Sequence, residues 1–213
     1  MFEFGSCKMT NKELRDHGYL YDATDNDPQM AKERVDVKAL CFEFSTQVPW
    51  NDNERRKELL SKIIGKAGKN VFILPSFYCD YGYNIEVGDN FFANHNLVIL
   101  DGAKVKIGNN VFFANNITLT TAGHPIDAQM RNTGIEYAYP ITIGNDVWVG
   151  ANVTILPGVT IGSNVVIGAG SVVTRDIPDG VVAVGNPCRV MRKITPEDKL
   201  KYQVPPKCCQ QGN

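Results

Sequence analysis

Residues 141–180 read ITIGNDVWVGANVTILPGVTIGSNVVIGAGSVVTRDIPDG. Within this stretch Ile143, Val149, Ile155, Ile161, Ile167 and Val173 fall six residues apart without exception. A second ladder at the same spacing reads Val147, Val153, Val159, Val165, Ser171 and Ile177, and Gly144, Gly150, Gly162 and Gly168 each follow a member of the first. Neither a 3.6-residue helical period nor the two-residue alternation of an isolated strand produces a six-residue beat with glycine at a fixed phase. A hexapeptide parallel β-helix does. Each repeat supplies a short strand with a β-branched residue turned inward, then a turn where Gly, Asn or Asp accepts positive φ. Three repeats make a triangular coil, and stacked coils pair every strand with the ones above and below.

Outward from this core the beat continues less regularly. Val87, Ala93 and Ile99 keep the spacing, and Ile107, Phe113 and Leu119 resume it after a two-residue slip, which predicts a bulge or loop between coils. Between Leu119 and Ile141 the beat disappears, and residues 120–140, TTAGHPIDAQMRNTGIEYAYP, intervene. Insertions in solenoids gather on one face, often the working one, so chemistry is sought there first. Ahead of the repeats, from about residue 10 to residue 68, apolar residues recur at spacings of three and four, which predicts helices. One is expected over Pro28 to Phe44, capped by Asp27. A second should start between Asn51 and Asn53, bury Leu59, Leu60, Ile63 and Ile64, and stop at Gly65. Thr195-Pro196-Glu197 reads as a third capped start. The expected organisation is thus a helical segment over 1–68, a β-helix over 69–190 interrupted by a loop at 120–140, and a C-terminal helix with a mobile tail over 191–213.

Composition narrows the partners. The 213 residues carry 22 basic and 23 acidic side chains, a net charge of −1. That leaves no footprint for a phosphate backbone and no polybasic membrane patch, so neither nucleic acid nor membrane is expected as a partner. The first residues lack a basic stretch followed by an apolar run, and later apolar runs are broken by Gly, Asp or Asn, which makes a cytoplasmic location the expectation. Cysteines 7, 41, 79, 188, 208 and 209 lack metal-ligand spacing and are read as reduced thiols.

A β-helix alone implies no reaction. His124, one of three histidines, lies in the interruption beside Gly123 and Pro125. A loop histidine by itself is ordinarily an inert surface group; here the sequence around it decides. GYLYD at 18–22, taken as a helical start, is followed by CDYGYNIEVGDNFFANHN at 79–96 and HPID at 124–127. PITIGNDVWVG at 140–150, IGAGSVVTRDIP at 167–178 and VGNPCRV at 184–190 complete the set. Together these stretches resemble the galactoside and maltose O-acetyltransferases of the hexapeptide-repeat acyltransferase family.

The resemblance implies a left-handed β-helix that moves an acetyl group from acetyl-CoA to a sugar hydroxyl by direct attack in a ternary complex, with no metal. His124 matches the family's general base, a role imidazole's near-neutral titration suits. A backbone N–H matching Ala151 would stabilise the oxyanion. Asp25, Asp80, Asn94 and Asp101 match the acceptor side. Gly102 stands where the galactoside enzymes carry a second acidic residue, which leaves galactoside, glucoside and maltose-like acceptors open. Ala151, Ala169, Thr174 and Arg175 match coenzyme A contacts, and Arg189 and Arg192 are placed for its phosphates, because guanidinium forks suit phosphate oxygens. The family's homotrimers put active sites between subunits, and Trp148 is expected to pack against a neighbour. Two alternatives stay open: a hexapeptide acyltransferase with a non-sugar acceptor, and a non-enzymatic assembly module. A β-helix carbonic anhydrase would need clustered histidines whose spacing His17, His95 and His124 do not supply.

Overall fold

The computed structural model describes residues 9–24 and 26–202. Asp25 and residues 203–213, which include the expected tail from Pro205, lie outside the described residues. The repeats wind into a parallel β-helix with three faces. Face A stacks Lys66–Ala67, Ile85–Val87, Val105–Ile107, Ile141–Ile143 and Thr160–Ile161. Face B stacks Phe72–Ile73, Phe92–Ala93, Phe112–Phe113, Val147–Val149, Val165–Ile167 and Val181–Val184. Face C stacks Phe77–Cys79, Leu97–Leu100, Ile117–Thr120, Thr154–Ile155 and Val172–Val173. Strand pairs within the faces are parallel and in register, as in Phe77↔Leu97 and Leu97↔Ile117, so identical phases stack and both predicted ladders fill the interior.

Corner chemistry follows from the same stacking. Asn70, Asn90, Asn110, Asp146 and Asn164 all have positive φ at the A–B corner, a conformation Asn and Asp adopt more readily than other L-residues. Their side chains form a ladder, Asn70 Nδ2 donating to Asn90 Oδ1, Asn90 to Asn110 and Asn110 to Asp146, at 2.9 to 3.0 Å.

Coil length is not uniform, which corrects the single slip read from the sequence. Stacked corner residues are 20 apart from Asp89 to Asn109, 36 apart from Asn109 to Asn145 and 18 apart from Asn145 to Ser163. Only the coil from Asn145 to Ser163 therefore follows three plain hexapeptides, since the next step, Ser163 to Asp179, is 16. The surplus enters at one corner, between faces C and A: residues 80–84 in one coil, 101–104 in the next, then the long interruption. The slip is a repeated enlargement of one edge.

That interruption is not a loop. Ala122–Gly123 and Ile135–Ala138 pair antiparallel, and a short helix, Ala128–Arg131, lies between them. Tyr21–Asp22 adds a third antiparallel strand on Ile135–Ala138. GYLYD is thus not a helical start: α1 (Asn11–Asp16) ends before it, Gly18 has φ +75, and Tyr21 and Asp22 are extended.

The first coil needs a cover, because a solenoid end exposes its apolar interior. α2 (Pro28–Thr46) and α3 (Asn53–Ile63) supply it, slightly displaced from the expected bounds. Asp27 caps α2 by accepting from the backbone N–H groups of Gln29 and Met30. Val37, Cys41 and Phe44 of α2 join Leu59, Leu60 and Ile63 of α3 in the main core. Phe44 meets Phe77 edge to face at 6.4 Å between ring centres. At the other end Arg189–Lys193 returns antiparallel on Val181–Val184, crossing the expected boundary at 190, and Pro196–Lys201 is a 3-10 helix.

Candidate active site

The enlarged corner collects the N-terminal strand, the hairpin and the CDYGYN segment. His124 follows the first hairpin strand, half-exposed. Its Nδ1 lies 3.0 Å from the Ile135 carbonyl oxygen, which can only accept, so Nδ1 carries a hydrogen, and in the neutral ring Nε2 is the nitrogen with the lone pair. Nε2 points to Glu136 Oε1 at 3.4 Å. The other Glu136 oxygen accepts from the Tyr21 hydroxyl at 2.8 Å. Tyr21 is buried, and burial, then the Glu136 carboxylate, push its phenol well above the ordinary range, so it remains a hydrogen-bond donor. The result is a chain from Tyr21 through Glu136 to the imidazole nitrogen that is free to take a proton. Glu136 and Tyr21 were missed from sequence. Glu136 is one of only two carboxylates between residues 120 and 140, the available signal.

A cavity of about 130 Å³ beside this chain is lined by Tyr21, Ala23, Arg34, Asp80, Gly102 and Glu136, among others. Each residue of CDYGYN has a local task there. Cys79 Sγ faces Cys41 Sγ at 3.7 Å; both are free thiols, as is Cys188. Asp80 lies 3.6 Å from Lys38 Nζ. Tyr81 sits under the Arg15 guanidinium, 4.4 Å from its ring centre, and its hydroxyl accepts from Arg34 at 2.9 Å. Gly82 has φ +76 and no room for a Cβ, which would lie 2.1 Å from the Ile63 carbonyl oxygen. Tyr83 donates to Glu33 at 2.7 Å, and Asn84 Nδ2 to the Asp101 carbonyl at 2.8 Å. The motif therefore ties α1, α2 and two coils to one corner.

Asp101 is fully buried there, with Oδ1 accepting from the backbone N–H groups of Asp80 and Tyr81 at 3.0 and 2.9 Å. In this chain the Asp101 side chain thus lies beneath the corner, with no surface of its own exposed on it.

The remaining expected site residues lie on two edges. Asn94 stands at the opposite end of face C from Asp101, at the B–C corner, in a depression with Phe92, Phe112, Trp148 and Tyr202. The four-residue strand Leu97–Leu100 runs between these two corners, roughly 13 Å at strand rise. Ala151 and Ala169 stack at Asn94's corner, the Gly170 N–H donating to the Ala151 carbonyl at 2.8 Å. That edge is kept low by small residues: a Cβ on Gly150 would lie 2.7 Å from the Ala169 nitrogen. Thr174 and Arg175 sit above the hairpin at the C–A corner, just past Val172–Val173. Arg189 is exposed, whereas Arg192 is held by Asp198 through two hydrogen bonds of 2.7 Å. Asp25 is outside the described residues. Within one chain, then, His124 and Asp80 share a corner, while Asn94, Ala151 and Ala169 share another.

A parallel β-helix with a histidine-bearing hairpin on one enlarged edge and a small-residue groove on another is the architecture of hexapeptide-repeat acyltransferases. Comparison with known proteins narrows this. Residues 140–175 match the bacterial transferase hexapeptide family, and residues 17–68 match the maltose acetyltransferase hexapeptide capping motif. The galactoside O-acetyltransferase of Escherichia coli (strain K12) is 48% identical over 179 residues, 84% of this chain and 88% of its own. The crystal structure of a maltose O-acetyltransferase from Clostridium difficile 630 superposes with a TM-score of 0.85 at 51% identity, covering 88% of this chain and 98% of that one. A galactoside acetyltransferase in complex with coenzyme A gives a TM-score of 0.87 at 44% identity, covering 93% and 100%. This chain belongs to the galactoside and maltose O-acetyltransferase family, and it is an acetyltransferase.

Proposed function

We propose that the protein transfers an acetyl group from acetyl-CoA to a hydroxyl of a galactoside, glucoside or maltose-like sugar, with His124 as general base. The observation that carries this reading is the hydrogen bond from His124 Nδ1 to the Ile135 carbonyl, which leaves Nε2 as the basic nitrogen. Bound acetyl-CoA supplies the thioester carbonyl that the acceptor oxygen attacks. His124 takes the hydroxyl proton at Nε2 as the oxygen attacks directly, without an acyl-enzyme; the tetrahedral adduct then breaks its C–S bond, and the imidazolium returns the proton to the departing coenzyme A thiolate. In between, the imidazolium faces Glu136 Oε1, whose charge stabilises it, and Tyr21 keeps that carboxylate from swinging away. Asp80 grips sugar hydroxyls, with Asp25 as a further N-terminal contact.

The active site is completed by a second copy of the chain. Asn94 and the small-residue edge stand at the opposite end of face C from the His124 corner within one chain, so they do not line one pocket with it. A threefold assembly sets the B–C edge of one copy against the C–A edge of the next. Face B supports this arrangement with an outward stripe of Phe72, Phe92, Phe112 and Trp148, an apolar patch of the kind that marks interfaces. Ala151 and Ala169 on one wall, with Thr174 and Arg175 on the other, would flank the pantetheine. Arg189, with Arg192 released from Asp198, would meet the phosphates. The Ala151 N–H would receive the oxyanion. Among the described residues no helix is long and apolar enough to cross a membrane, and a cytoplasmic location fits the use of acetyl-CoA.

Thiol release from acetyl-CoA tests the reading across galactosides, glucosides and maltose. Wild-type turnover should fall by about 10² to 10⁴ in His124→Ala, and by a smaller factor in Glu136→Gln, with unchanged circular dichroism. An active His124→Ala variant would sink the general-base assignment.

A further inference from the structure

We propose that Asp101 is a positioning residue for the acceptor site, acting through the Asp80–Tyr81 backbone. The inference rests on the acceptor reading of Asp80 above. The Asp101 side chain is wholly removed from solvent, yet the N–H groups of two consecutive residues converge on its Oδ1. Two such N–H groups can share one oxygen only if the peptide between them is turned to present both, so the carboxylate fixes the orientation at which Asp80 leaves face C. Its Oδ2 has no hydrogen-bond partner, an arrangement that costs stability and is not what a purely structural turn requires.

The backbone of the same residue is locked as well. Asn84 Nδ2 donates to the Asp101 carbonyl at 2.8 Å, and the Thr121 hydroxyl, at the root of the hairpin, donates to the Leu100 carbonyl while accepting from the Ala103 N–H. Asp101 therefore joins the corner of the coil below to the coil from which the His124 hairpin springs. Cys79 of face C and Cys41 of α2 stand close by, and Lys38 of α2 pairs with the Asp80 carboxylate. With Asp101 in place, the Asp80 side chain is held between Lys38 and the cavity that Glu136 lines from the other side. Without it, two N–H groups lose their acceptor and the corner must turn to find water.

Steady-state kinetics on the intact enzyme test this, with acetyl-CoA and the best sugar from the acceptor screen. Asp101→Ala should raise the acceptor KM by about 10-fold to 100-fold, as expected for unpaired buried donors, and leave the acetyl-CoA KM within about 2-fold. Asp101→Asn, which keeps an oxygen for both N–H groups, should recover most of that loss. The Asp80→Ala, Asp101→Ala double variant should have an acceptor KM no higher than the worse single variant, because the two residues act as one unit. Should Asp101→Ala fail to fold, Asp101→Asn decides alone, since a loss as large as that of Asp80→Asn would mean the carboxylate charge meets the acceptor and overturn the inference. Multiplying effects in the double variant, or an unchanged acceptor KM in Asp101→Ala, would also overturn it. A wild-type enzyme that releases no thiol with any sugar would instead remove the acceptor reading beneath it.

Discussion

Burial pushes the Asp101 carboxyl up to about 6, against the two backbone N–H groups that pull it down. A carboxyl raised above its unfolded value of 3.8 takes up a proton more readily in the folded chain, so its contribution is least unfavourable at low pH. As pH rises through the window from about 4 to 6, the folded state must ionise a buried group, at a cost of about 3 kcal/mol once complete. Asp101→Asn carries no such charge. Its stability relative to the wild type should therefore rise between pH 4 and pH 7, by at most that amount, in urea midpoints compared at both values. A difference independent of pH would contradict the assignment. At this scale the proposed role of His124 rests on its neighbours Gly123 and Pro125, because the motif is local. Glu136 and Tyr21 were not legible in this way, since their meeting depends on an antiparallel strand pair whose members lie more than a hundred residues apart.

Among elements, the short strands are held less by their own length than by the glycines that let coils approach. A Cβ on Gly108 would lie 2.6 Å from both the Gly144 carbonyl oxygen and Asn145 Oδ1, so Gly108→Ala must push two coils apart. Gly170 has φ +73 with nothing within 4 Å, and there alanine meets only the backbone penalty. The expected costs are about 1 to 3 kcal/mol for Gly108→Ala and about 1 kcal/mol for Gly170→Ala. Denaturant titration distinguishes them, and equal losses would mean that the coils adjust freely. The predicted six-residue beat identified every face-B and face-C strand it covered, because inward side chains repeat by phase. GYLYD, taken as a helical start, was misread because five residues carry no period long enough to separate strand from helix.

For the whole molecule, the separation of the two functional edges is the governing fact. On the proposed reading, a prism with His124 on one edge and Asn94 on another works only if neighbours bring unlike edges together. Phe112→Glu and Trp148→Glu, both at exposed positions on face B, should leave the coil intact and yield monomers by sedimentation. Such monomers should lose acetyl transfer even though the Tyr21–Glu136–His124 chain stays within each copy. Fully active monomers would refute the shared site.

The ladders of Ile, Val and Gly determined the β-helix from sequence alone, since a solenoid repeats its packing every coil and so writes it into the chain as a period. The CDYGYN and histidine-proline stretches likewise carried the acyltransferase resemblance. Only the tertiary structure decided which residues share a corner. Enlarged turns, a hairpin and an N-terminal strand converge on the C–A edge, while strand length keeps Asn94 and the small-residue groove on the B–C edge. Those distances arise from coil geometry and cross-strand pairing, and neither is periodic in the sequence. The arithmetic of spacing located the scaffold, and burial alone showed that the Asp101 side chain lies beneath the corner.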